Sequence, residues 1–281
     1  MLPTVLRCEL EYEVYSPSHF IFHIQSAYSD DQQILSEMLT TTAGIQIAPS
    51  VDLSTGNRIF RCNVLPGLLN VRYDASVQLF RKIGMAGDWE SDVADIPSEV
   101  LPYLMPTRFC PSDIMSQESQ RLFGQVPRGF GRVQYICQWI RDNIAYRIGA
   151  SNPTTSALDA YNAQAGVCRD FAHLTITFCR GLNIPARLVG GYCNFTEPPQ
   201  DFHAVVEVWL GGRWVMVDPT ELAMPQNVVR VATGADAKNT AFATVYGSMY
   251  MTYMHIQVSH EGEPASDNPD PVQATVRRAM R

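Results

Sequence analysis

Apolar and polar positions alternate with a period of two through much of residues 1 to 105, then give way to a period of three to four. Cys8 to Tyr15 alternates, His19 to Gln25 does so more loosely, and Arg58 to Val64 and Leu69 to Phe80 repeat the pattern. Alternation sends successive side chains to opposite faces of a pleated strand, so each run predicts a strand with one buried face. Clusters of Asp, Gly, Asn and Pro separate the runs, and Asp52-Leu53-Ser54-Thr55-Gly56-Asn57 is a turn by composition. Short strands at this spacing predict a sandwich-like β domain over residues 1 to 105, without a catalytic constellation of its own.

Gly87 to Pro106, rich in proline and acidic residues, reads as the connection to a second unit. Beyond it Val133, Ile136, Cys137, Ile140 and Ile144 recur at spacings that share one face of an amphipathic helix. Ser156-Ala157-Leu158-Asp159 has capping-box spacing and opens another. A third helix is predicted from Cys168 to Arg180, with Phe171, Leu174, Thr175 and Phe178 inward, stopping at Gly181 ahead of Pro185. Strands follow at Ala186 to Cys193, His203 to Leu210 and Trp214 to Val217, with more β pattern from Ala241 to Val258. The expected class is α+β: an N-terminal β domain, a mixed domain over 106 to 260, and a mobile tail over 261 to 281, which holds three prolines.

Composition narrows the partners. Apolar residues make up 46% and charged residues 17% of the 281, enough for a packed core and against global disorder. Lys and Arg number 21 against 28 Asp and Glu, a net charge of −7, and no basic run stands out, so nucleic acid is not an expected partner. The start lacks a basic region followed by an apolar one, and no window approaches the ~18 apolar residues of a membrane span. Seven scattered cysteines without a C-x-x-C argue against a disulfide framework or structural zinc and for a reducing cytoplasm, where a thiol stays available for chemistry.

One thiol stands apart. Cys168 follows a glycine-led turn in Ala165-Gly166-Val167-Cys168-Arg169-Asp170 and begins its helix, where unpaired N–H groups and the dipole favour an anion. His203 comes thirty-five residues later and Asp218 fifteen after that. Nucleophile, base and orienting carboxylate are the parts of nucleophilic acyl chemistry. The strands bearing the last two flank Gly211-Gly212. A two-residue hairpin loop would pair Leu210 with Arg213 and set Asp218 opposite Val205, a diagonal neighbour of His203 on one face; a three-residue loop would separate them. Glu207 shares that face further along and reads as a solvated carboxylate or one supporting the site. His173 points away from the Cys168 face and reads as structural. Asp170, in the first helical turn, suits the dipole and can brace the site. The backbone N–H of Cys168 is one oxyanion donor, and Gln164 is the candidate for a second.

Gly166-Val167-Cys168-Arg169-Asp170-Phe171-Ala172, Pro185-Ala186-Arg187-Leu188-Val189-Gly190-Gly191-Tyr192, Asp201-Phe202-His203-Ala204 and Trp214-Val215-Met216-Val217-Asp218-Pro219-Thr220 together resemble the transglutaminase-like superfamily. They are most similar to its bacterial branch of transglutaminase-like cysteine peptidases with an N-terminal β region. Pro106-Thr107-Arg108-Phe109-Cys110-Pro111-Ser112-Asp113 and Gly234-Ala235-Asp236-Ala237 carry the same likeness. The resemblance implies a papain-like core with Cys168 as nucleophile, His203 as base and Asp218 as orienting acid. It further implies that Val205, where members often carry tryptophan, and Tyr192 line the substrate pocket. Nothing resembles the oxygen-rich calcium loop of animal transglutaminases, so neither metal nor other cofactor is expected.

The expected activity is acyl transfer at amide bonds of a protein or peptide, hydrolytic as a cysteine protease or amidase. Transamidation of glutamine, an inactive scaffold on the same fold, and a zinc site built from Cys168, His203 and Asp218 are the rival readings. Neither a membrane partner nor a particular oligomeric state is indicated.

Overall fold

The computed structural model describes residues 2–262, so most of the expected tail lies outside the described residues. Six strands come first: β1 (Thr4–Val14), β2 (Ser18–Phe22), β3 (Gln32–Thr41), β4 (Ile47–Val51), β5 (Arg58–Val64) and β6 (Gly67–Leu79). The alternation locates four of them to within a few residues. The other two were not legible because they are sheet edges: β4 is exposed along its whole length, and β3 is mostly exposed with a register shift between Ile34 and Ser36. Edge strands need only one paired neighbour and little apolar patterning.

Then follow α1 (Ser116–Phe123), α2 (Phe130–Asn143), β7 (Ala145–Tyr146), α3 (Ala157–Ala163), β8 (Ala165–Gly166), α4 (Cys168–Gly181), β9 (Ala186–Tyr192), β10 (His203–Leu210), β11 (Arg213–Val217) and β12 (Val229–Gly234). A short α5 (Ala237–Thr240), β13 (Ala243–Tyr246) and β14 (Met249–His260) complete the described chain. The central antiparallel sheet has the order β11-β10-β9-β12. Helix α4 packs on the β10 face that carries Val206, Val208 and Leu210, within one core shared with Val133, Ile136 and Ile140 of α2. It is not merely amphipathic: every side chain from Asp170 to Arg180 is buried. His173 lies in that interior, stacked on Phe109 with its Nε2 accepting from the Ala237 N–H (3.2 Å). Burial, with Arg169 and Arg180 nearby, pushes its pKa down to about 3.

The sandwich consists of two four-stranded sheets, β14-β1-β6-β3 and β13-β2-β5-β4. Strands β13 and β14 therefore belong to it, which corrects the expected division at 105 and 260: the chain leaves the sandwich, builds the mixed domain and returns. Tyr192, Val229, Val231 and Ala232 of the central sheet are packed into the sandwich core. No helix among the described residues is long and apolar enough to cross a membrane.

Glu207 is neither solvated nor in contact with the site. It is 2% exposed and bonded to Arg187 (2.8 Å) and to Arg230, and Arg230 continues to Asp31 (3.1 Å), which also binds Arg81 (2.7 Å). The guanidinium of Arg187 lies over Trp214, 3.9 Å from the ring centroid. This buried chain of charges fastens β9, β10 and β12 to the N-terminal segment. Removing Glu207 leaves Arg187 without its carboxylate and Arg230 with Asp31 alone, so Glu207→Ala should lower the unfolding free energy by about 3–5 kcal/mol, read from urea denaturation. A loss below 1 kcal/mol would mean that the arginines find water or other acceptors.

Candidate active site

The hairpin between β10 and β11 has the two-residue loop. Leu210 pairs with Arg213 and Val206 with Val217, while Gly211 and Gly212 take φ of 58° and 76°, the left-handed pair that such turns require. His203 and Asp218 accordingly meet on one face: Nε2 of the ring lies 2.9 Å from Oδ2 of the carboxylate, and both side chains are about 1% exposed. The carboxylate is itself held. Oδ1 accepts from the Thr220 N–H (2.9 Å) and hydroxyl (2.7 Å), and Oδ2 accepts from the Ala223 N–H (2.8 Å). Burial opposes its charge, but these bonds and the imidazolium outweigh it and keep the Asp218 pKa below the ordinary value.

With Nε2 engaged by Asp218, Nδ1 is the ring nitrogen left free, and Cys168 lies close enough to the imidazole to favour its charged form. Burial disfavours a charged ring here. The bond to Asp218 and the nearby Cys168 more than offset it, and the His203 pKa is raised to about 10. Phe195, from the β9–β10 connection, meets the ring edge to face at 5.5 Å and covers it.

Cys168 occupies the first position of α4, and its turn is braced by Asp170, whose Oδ2 accepts from the Val167 N–H (2.9 Å). Gly166 must lack a side chain: a Cβ there would lie 2.6 Å from that of Asp170. Arg169 completes the bracing, donating to the Asn152 carbonyl (2.8 Å) and pairing with Asp170 (3.2 Å). Cys168 is partly exposed, whereas the other six cysteines are buried. Burial pushes the thiols of Cys8, Cys110 and Cys137 up to about 12 and that of Cys62 to about 11.

Tyr146 was not legible as part of the site. The parallel β7–β8 bridge sets it beside Gly166, its ring packs on Phe171 at 5.7 Å, and its hydroxyl lies close to the backbone and sulfur of Cys168. The two-residue strand that delivers it leaves no periodic signal. Asp201, two residues before His203, is a second addition. Burial raises its pKa to about 6, against the Phe202 N–H (2.6 Å) and the charge of His203.

Three expectations are corrected. Gln164 caps α3 with a left-handed backbone (φ 50°) and lines a separate cavity with Trp139, Asn143, Ile144, Tyr161 and Asn162. Val205 is fully buried in an apolar cluster with Val189, Cys193, Phe195, Met216, Ala223 and Val228, so it supports the sheet instead of lining a pocket. Tyr192 is equally buried, and its hydroxyl donates to the Ile24 carbonyl (2.7 Å) inside the sandwich. Val205 and Tyr192 are taken into packed cores, whereas Gln164 is exposed at the end of α3. Nε2 of His203 is taken up by Asp218 and so is not directed at a metal ion. Among the described residues no group of three or more His, Cys, Asp or Glu is placed to hold one.

Residues 118–219 match the transglutaminase-like superfamily and residues 5–97 match the bacterial transglutaminase N-terminal domain. A crystal structure of a candidate cysteine protease from Cytophaga hutchinsonii is similar at 34% identity, with 94% of this chain and 92% of that one covered and a TM-score of 0.89. The uncharacterized protein ML0607 of Mycobacterium leprae is 34% identical over 115 residues, 37% of this chain and 40% of that protein. The uncharacterized protein Rv2569c of Mycobacterium tuberculosis is 32% identical over 111 residues, 34% of this chain and 35% of its own length. The chain thus matches well under half of each mycobacterial relative but nearly all of the Cytophaga protein. On its motifs, its two-part architecture and this likeness, the chain belongs to the transglutaminase-like superfamily, with the bacterial N-terminal β domain.

Proposed function

We propose that the protein is a thiol-dependent acyl-transfer enzyme that hydrolyses amide bonds of proteins or peptides, with Cys168 as nucleophile, His203 as general acid and base, and Asp218 as the orienting carboxylate. The reading rests on one observation above all: His203 is hydrogen-bonded to Asp218 through Nε2, and the partly exposed thiol of Cys168 lies beside the same ring.

The sulfur of Cys168, its proton held by the ring, attacks the amide carbonyl carbon. The oxygen takes up the charge beside the backbone N–H of Cys168 and the hydroxyl of Tyr146, the two donors at hand. Collapse breaks the C–N bond, and Nδ1 of His203 gives its proton to the leaving amine, so that a thioester and a neutral imidazole remain. Water then attacks, loses a proton to the imidazole and expels the thiolate as the acid departs. A primary amine in place of water would give transamidation through the same groups. Hydrolysis is the preferred reading because water at ~55 M needs no acceptor site, whereas an amine must be held while water is excluded.

His203 carries the sign of the pH dependence. Its raised pKa means that the charged ring is favoured in the folded protein, so it should remain protonated on going from pH 6 to 9 and lose its proton near pH 10. Imidazole nitrogen shifts in an NMR titration read this directly. In Asp218→Asn the opposing effect of burial gains weight and the midpoint should fall by several units; a ring already neutral at pH 8 in the unmodified protein would remove the proposed acid.

A short iodoacetamide pulse at pH 6.5 should label Cys168 ahead of the six buried thiols, and His203→Ala should slow that labelling about tenfold or more. Even, slow labelling would favour an inactive scaffold. With a denatured protein substrate and a fluorescent primary amine, new chain termini or carboxylates mark hydrolysis and incorporated dye marks transamidation; Cys168→Ala should abolish both.

Tyr146→Phe separates the oxyanion role from nucleophile activation. The burst of nitrophenol from p-nitrophenyl acetate should slow about a hundredfold. Alkylation by iodoacetamide, which develops no oxyanion, should change less than twofold; equal losses in both would assign Tyr146 to thiol activation instead.

A further inference from the structure

The connection from β9 to β10, residues 193–202, carries the chain directly into His203. Asn194, Thr196, Glu197 and Pro199 are exposed, so its placement depends on Phe195, Gln200 and Phe202. The last two are anchored by elements of the sandwich and by the segment leading into it.

Gln200 is 8% exposed. Its Nε2 donates to the Val258 carbonyl (3.1 Å) and to Asn194 Oδ1 (2.9 Å), and its Oε1 accepts from the Val258 N–H (2.6 Å). Val258 lies on β14, the edge of its sheet, opposite Leu6 of β1. At alternate positions of an edge strand both backbone groups point outward, and here one side-chain amide satisfies both as a neighbouring peptide unit would. Phe202 stacks on Phe242 with centroids 4.7 Å apart and rings 9° from parallel, and the Phe242 carbonyl accepts from the His23 N–H (2.9 Å). Gln200 and Phe202 are thus tied to the sandwich, and the same connection supplies Phe195 to the face of the imidazole.

We propose that Gln200 is a positioning residue for the reaction: by clamping the β9–β10 connection to β14, it makes the N-terminal sandwich, completed by the returning strand, the support that holds His203 beside Cys168. The inference rests on the reading that His203 serves Cys168, and it gives the β domain a role in the chemistry instead of substrate binding alone. Reactive groups lose rate steeply with small displacements, so a loosened loop should be felt at the sulfur without any change in the triad residues.

The test measures iodoacetamide alkylation of Cys168 in the full-length protein from pH 5 to 10, at a temperature where each variant is folded by circular dichroism. Gln200→Ala should slow alkylation at pH 6 about tenfold. The rates should converge toward those of the unmodified protein near pH 10, where thiols ionise without a partner. Val77→Ala, a core truncation on β6, two strands from β14, serves as the stability control and should lower the melting temperature while leaving the alkylation profile in place. If Gln200→Ala does not fold, Gln200→Glu, similar in size but unable to donate to the Val258 carbonyl at neutral pH, replaces it with the same expected slowing. An unmodified rate and profile in the Gln200 variant, or an equal slowing in Val77→Ala, would overturn the inference. His203→Ala measured alongside keeps the two readings apart: if it leaves alkylation unchanged, the Cys168–His203 pairing itself fails, whereas slowing in His203→Ala but not in the Gln200 variants rejects only the clamp.

Discussion

The register of the β10–β11 hairpin is the constraint on which the site depends. Pairing of Leu210 with Arg213 across Gly211-Gly212 sets His203 and Asp218 on the same face. A slip of one residue would send one of them to the opposite face, where α4 and the Val206–Val208 core lie. The two glycines adopt a backbone that side chains resist, so the tightest loop is also the one the sequence accommodates best. Once this register holds, Thr220 and Ala223 need only close around the carboxylate for the imidazole to have a fixed partner.

Helix α4 supplies the other half by being a buried spine with one accessible end. Its last turn is secured by Arg180, which donates to the carbonyls of Met105, Ala186 and Ala235 in place of a carboxylate partner. Cations suit a helix C-terminus, and carbonyl oxygens satisfy a guanidinium that burial would otherwise penalise. Its first turn is secured by Asp170 and Arg169. Cys168 therefore stands on an element that has little freedom to shift, with Tyr146 delivered to it by a strand of only two residues.

The two domains are one mechanical unit. Strands β13 and β14 return to the sandwich after the mixed domain is complete, the charges from Arg187 to Arg81 cross the boundary, and Tyr192 is bonded into the sandwich interior. A β domain that serves only to recruit a partner would need none of this. Here the connection that leads into His203 borrows its order from the sandwich.

Local pattern determined a good deal: the strands with one buried face, α2 and α4, the capping box at Ser156, the Gly-Gly hairpin and the order Cys168, His203, Asp218 are all properties of residues near one another in the chain. The edge strands β3 and β4 escaped because exposure on both faces removes periodicity, and Tyr146 escaped because two residues cannot display any. Burial decided the rest. Val205, Tyr192 and Glu207 are apolar, aromatic and acidic residues close in sequence to the site, yet each is turned into a core or an ion network by packing between elements, while Gln164 faces a separate cavity at the end of its own helix. Which side chains face the thiol, and that the opening β domain also holds the histidine, depend on contacts between segments well over a hundred residues apart, such as Gln32 with Arg230 and Tyr192 with Ile24, and such contacts exist only once the chain has folded.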